Sequence, residues 1–150
     1  MCEKTKTEDQ VEALELLGLF NMIEFAQRPF SSLSQGEKQR IMICRSLMNS
    51  PKLLILDEPC NGLDLIAKKE LFTFIDILIK NTTTTVIYVT HNIDEIQSCF
   101  THVLLLDQGK IHSLGHPNEI ITESNLTDFY KLSVELVPLK NGRVILQALE

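Results

Sequence analysis

The sequence predicts an α/β fold built on strands that run parallel, with helices packed against them. Three observations carry this. Leu53-Leu54-Ile55-Leu56 is a short unbroken apolar run, the pattern of a strand buried on both faces. Thr84 to Val89 is β-branched and apolar, a second such strand. Between them, Asp64 to Lys80 sets Leu71, Phe72, Ile75, Leu78 and Ile79 at helical spacing. Strand, helix, strand is a βαβ unit, whose crossover is right-handed in nearly every case. Both strands then end at one edge of the sheet, where open α/β sheets bind ligands. Asp57-Glu58 and His91 follow the two strands, so the pattern brings them to that edge.

The other elements follow in order. Val11, Leu14, Leu17 and Leu16, Phe20, Ile23 recur at three and four, which predicts a helix from Val11 to Ala26, closed by Arg28-Pro29. A second helix is expected from Ser34 to about Asn49, with Ile41, Cys44, Leu47 and Met48 inward and Pro51 closing it. Ile93 to Phe100 reads as a short helix. His102 to Leu106 and Lys110 to Leu114 read as a hairpin around Gln108-Gly109. Pro117 to Glu123 reads as another short helix. Val134 to Leu139 and Arg143 to Leu149 flank Asn141-Gly142, a type I′ hairpin signal.

At 150 residues the chain fits one domain or a large piece of one. Hydrophobic content of 44% and charged content of 23% are those of a globular protein. A net charge of −6 argues against a dedicated nucleic-acid surface. Cys2, Cys44, Cys60 and Cys99 form no C-x-x-C pair, so they read as reduced, mostly buried thiols. No apolar run approaches the roughly 20 residues of a membrane helix, and Met1 to Gln10 lacks a signal core.

Five candidates for chemistry stand out, each with a plainer structural reading. Ser34 to Glu37 is S-x-x-E, a capping box; equally, a helix N-terminus offers free N–H groups to an anion, and Gly36 lets a phosphate come close. Asp57-Glu58 is either a pair of acids leaving a strand for solvent, or one acid for Mg²⁺ through water and one to polarise an attacking water. Pro59 is expected to keep Glu58 extended. Asp64 fits a helix N-cap, and His91 the polar end of a strand or a cap for the Asn92 to Gln97 turn. His112 and His116 have metal-like spacing, but they straddle a glycine turn with no third ligand.

Order and spacing bind these pieces together. From roughly Val11 to Glu123 the chain resembles the ABC ATPase family. Leu33-Ser34-Gln35-Gly36-Glu37 is similar to the family's signature motif, usually LSGGQ. Leu53 to Asp57 is similar to its Walker B strand, Asn61-Gly62-Leu63-Asp64 to its D-loop and His91 to its switch histidine. The wording is nearest to importer-type ATPases, including molybdate-related ATP-binding proteins. The resemblance implies a partial P-loop NTPase-type fold, a mostly parallel sheet with the tail of a helical subdomain. It divides the chain into the end of that subdomain (1–32), the C-terminal part of the ATPase core (33–123) and a helix-and-hairpin extension (124–150).

The resemblance also implies roles. Ser34, Gln35, Gly36 and Glu37 would meet ATP held by an opposite domain, and Asp64 would link the two sites. Asp57 would hold Mg²⁺, Glu58 would act as general base, and His91 would contact the γ-phosphate. The implied partners are a second ABC ATPase domain and a membrane permease, with no nucleic acid. The implied location is cytoplasmic, or peripheral at the inner face of the cell membrane. Gln35 and Glu37 depart from the usual Gly and Gln, and a carboxylate near a phosphate is unfavourable unless it faces away. No G-x-x-x-x-G-K-[ST] loop occurs in the sequence, so the chain alone is expected to be inactive. Two rivals remain: the C-terminal lobe of a chromosome-maintenance or DNA-repair ATPase, against which no heptad run precedes Leu33, and a non-enzymatic fragment.

Overall fold

The computed structural model describes residues 7–139 and 144–149. The chain forms two compact units, one ending at Val89 and one beginning at Thr90.

In the first unit, helix α1 spans Thr7–Leu19, α2 Gln35–Leu47, β1 Leu53–Asp57, α3 Leu65–Asn81 and β2 Thr85–Val89. Strands β1 and β2 pair in parallel, Leu53 with Thr85 through Asp57 with Val89, so the expected βαβ unit is present. Helix α3 buries Leu71, Phe74, Ile75 and Leu78, and α2 buries Gly36, Ile43, Cys44 and Leu47. Burial pushes the Cys44 thiol up to about 12, which makes it an inert core residue.

The expected helix from Val11 to Ala26 stops at Leu19. Asn21 takes a left-handed φ of 56°, and the Met22 N–H turns back to the Leu17 carbonyl at 2.7 Å, which ends the helix. Past Leu19 the apolar spacing runs through Phe20, which is buried, and Ile23, which is 53% exposed. Phe20 stacks on Phe74 at 4.0 Å between ring centroids.

Nor are the two strands covered on both faces. Leu54 and Leu56 are buried, whereas Leu53, Ile55, Ile87 and Val89 stand 50%, 59%, 46% and 43% exposed. The parallel register puts these four on one face, with Asp57 beside them.

In the second unit, β3 (Val103–Asp107) and β4 (Lys110–Gly115) form the expected hairpin, turning at Gln108 and Gly109 with φ of 47° and 76°. Helices α4 (Pro117–Ile120) and α5 (Glu123–Tyr130) follow, then the antiparallel pair β5 (Val134–Pro138) and β6 (Val144–Ala148). Asn141-Gly142 lies outside the described residues. Ile93, Leu105, Ile120, Leu126 and Val134 make the core. The described sheets are thus one parallel pair and two antiparallel pairs.

Ile93 to Phe100 is not a helix beyond the single turn Ile93–Glu95. The Gln97 side-chain amide donates to the Glu95 carbonyl at 3.0 Å, and an α-helix would need that carbonyl four residues on.

Candidate functional site

Ser34 is the N-cap of α2 and makes both halves of a capping box. The Glu37 N–H donates to Ser34 Oγ at 3.3 Å, and the Ser34 N–H donates to Glu37 Oε2 at 2.7 Å. The plainer reading of Ser34 and Glu37 therefore holds. It also answers the departure at Glu37, because the carboxylate is turned back onto its own cap. That bond from the Ser34 backbone, helped by the Ser34 hydroxyl and by Arg28 and Arg40, holds the Glu37 carboxyl below its usual range. Gln35 opens the helix and takes no positive φ, so the missing glycine strains nothing. The backbone N–H groups of Gln35 and Gly36 find no acceptor among the described residues, as the first turn of a helix dictates.

Gly36 does something sequence reasoning missed. A Cβ placed on it would lie 2.8 Å from the Ala67 Cβ, below any normal contact. Gly36 is buried, and its hydrogen is what lets α2 touch α3. Asp64 caps α3, accepting the Ala67 N–H at 2.8 Å. The two capped helix starts are therefore side by side. Arg40 extends the seam by pairing with Glu70. Nothing local in the sequence links Gly36 to Ala67 or Arg40 to Glu70, since each pair is about thirty residues apart.

Asp57 ends β1 with its side chain exposed. Glu58 is not extended, contrary to the expectation from Pro59. Its φ is 44°, a left-handed conformation that costs a non-glycine residue about 1–2 kcal/mol. Two bonds fix it there: the Glu58 N–H donates to the Val89 carbonyl at 2.9 Å, and the Asn61 N–H donates to the Glu58 carbonyl at 3.0 Å. The tight turn into the next loop overrides the preference imposed by proline. Strain of this kind concentrates at functional positions. Behind the turn, Cys60 is 1% exposed and accepts from the Tyr88 hydroxyl at 3.2 Å.

His91 is exposed and belongs to the second unit. The first unit thus joins Ser34, Gln35, Gly36 and Glu37 with Asp64 across the α2–α3 seam, and Asp57 with Glu58 at the end of β1. His112 pairs with Asp128 at 2.9 Å, and His116 accepts the Asn118 N–H as the cap of α4. Among the described residues no three His, Cys, Asp or Glu side chains converge as a metal site. An apolar cleft of about 370 Å³ between α1 and α2, lined by Leu17, Phe25, Phe30, Ile41 and Met48, contains none of these site residues. Among the described residues no helix is long and apolar enough to cross a membrane.

A family model described as ABC transporter matches residues 2–61. An ABC transporter ATP-binding protein of Lactococcus lactis, YmeB, is 44% identical over 138 residues, covering 91% of this chain and 53% of that protein. The molybdenum import ATP-binding protein ModC of Photobacterium profundum is 37% identical over 119 residues, covering 79% of this chain and 32% of that protein. Among solved structures, a metal-chelate type ABC transporter in an inward-facing conformation superposes with a TM-score of 0.84 at 29% identity, covering 98% of this chain and 60% of that one. CbiO1 of Clostridium perfringens, part of the ABC transporter complex CbiONQ, gives 0.72 at 28% identity, covering 84% and 50%. The chain spans about half or less of the length of the curated relatives named here.

Proposed function

We propose, because the chain belongs to the ABC transporter ATP-binding family, that it supplies the C-terminal half of a P-loop ATPase domain that binds and hydrolyses ATP to drive solute transport. The observation that carries this is the start of α2. Two N–H groups with no acceptor among the described residues, at Gln35 and Gly36, sit at the positive end of a helix beside the capped start of α3. Such an end attracts phosphate.

In this reading the first turn of α2 meets ATP carried by a second ABC ATPase domain. Ser34 keeps that turn wound, and Glu37 stays off the phosphate because its carboxylate is bound to the Ser34 N–H. Asp64 caps α3 and links the two sites. Glu58, held on a left-handed backbone, takes the proton of the attacking water. His91 steadies the γ-phosphate. Asp57 fits Mg²⁺, which keeps several waters and needs only one or two protein carboxylates; bound there, the ion would neutralise charge on the phosphates. A phosphate-cradling loop and its lysine must come from elsewhere, since the sequence contains none. A permease partner and a place at the inner face of the membrane follow from the same reading.

The test is Mg-ATP-dependent association with an intact ABC ATPase domain, in a Glu58→Gln background that slows hydrolysis. Gln35→Glu separates cap from phosphate site. A carboxylate in the first turn favours the helix but repels phosphate. Association should weaken at least about tenfold, the effect of one lost charge-assisted contact, while the melting temperature holds or rises. Unchanged association would leave the capping box as the whole role of this turn.

A further inference from the structure

Glu95 is a charged residue sealed from solvent, at 2% exposure. A carboxylate there is costly unless each oxygen is satisfied. Two of its side-chain partners flank a single residue. Thr90 Oγ1 donates to Glu95 Oε2 at 2.7 Å, and Asn92 Nδ2 donates to Glu95 Oε1 at 3.2 Å. The circle closes on itself: the Asn92 N–H donates to Thr90 Oγ1 at 3.0 Å, and the Glu95 N–H donates to the Asn92 carbonyl at 3.2 Å. Between Thr90 and Asn92 stands His91, itself exposed. Two residues before Glu95, Ile93 is packed in the core of the second unit.

We propose that Glu95 is a positioning residue for His91. Its two oxygens grip the residues before and after the histidine and tie both to the core. With its neighbours fixed, His91 keeps a set backbone direction. An apolar residue would fill the same volume at lower cost but would offer no acceptors. This rests on the reading of His91 as the residue that meets phosphate.

The test measures the order of His91 directly, by ¹⁵N relaxation in the whole chain. In the parent protein the His91 amide should behave as rigid backbone, with an order parameter of about 0.85. Thr90→Val and Glu95→Ala should drop it below about 0.6. Thr90→Ser should retain the rigid value, because it keeps the hydroxyl. Glu95→Gln should retain it too, since the amide can donate to Thr90 and accept from Asn92. The Leu126 methyl signals report whether the core survives each change. An unchanged His91 amide in Thr90→Val and Glu95→Ala, with those signals intact, overturns the proposal.

A second arm uses the ATP-dependent association assay. Glu95→Ala should weaken association in the parent but add nothing to His91→Ala, because it acts through that residue. An additive loss would assign Glu95 a general structural role and overturn the proposal. If His91→Ala leaves association unchanged, the phosphate reading of His91 fails, and the relaxation data still decide what Glu95 does.

Discussion

Gly36 shows how a residue legible in a motif can carry a second, packing role that the motif does not reveal. As a letter of the signature it suggests room for phosphate. In the fold, its missing side chain makes room for Ala67. Gly36→Ala should therefore destabilise the chain by about 1–3 kcal/mol through overpacking, despite a gain of up to about 1 kcal/mol in helix propensity. Urea unfolding of Gly36→Ala, Ala67→Gly and the double variant checks this. The double variant should recover more stability than the two single changes would by addition, and simple additivity would refute the contact. Ser34 and Asp64 were legible as caps because capping chemistry is local, within three residues. Glu58 was not, since its left-handed backbone is imposed by the Val89 carbonyl about thirty residues on.

The helices and strands themselves were read well wherever one face was buried and the ends carried caps, as in α2 and α3. They were read badly where apolar spacing outlived the helix, as at Phe20, or where side chains competed for backbone, as at Glu95 and Gln97. Helix α5 carries a device no periodicity reveals. Asp128, near its end, binds Lys131 at 3.0 Å and His112 of β4 at 2.9 Å. Those two bonds, with the one from Lys131 the larger, hold the Asp128 carboxyl below its usual value. A depressed folded-state value means stability that is present above the ordinary aspartate range of about 3.9 and is lost as pH falls through the depressed value. Asp128→Asn should remove this part of the acid sensitivity. Melts of both proteins between about pH 2 and pH 6 should converge at the acid end and separate above the aspartate range. Parallel curves throughout would deny the clamp any folding role.

At the scale of the molecule, the βαβ unit and its handed logic were readable, but the extent of covering was not. Apolar runs announce which strands want burial, not whether the covering layer belongs to the same chain. Leu53, Ile55, Ile87 and Val89 form an open apolar face on the parallel pair, and the curated relatives named above are about two to three times as long as the part they share with this chain. Such a surface favours association. The purified chain should self-associate, with light scattering that rises with concentration, and Ile55→Lys with Ile87→Thr should suppress it. A monomer at every concentration would sink that expectation. Asp57 shares this face with the four aliphatic side chains. Whatever covers them also takes water away from the acid, and the pull of a carboxylate on a cation grows as its surroundings become less polarisable. If Asp57 holds a cation as proposed above, closing the face and gripping that cation would be two sides of one linked equilibrium, each tightening the other by the same factor, and cation affinity would then gauge assembly.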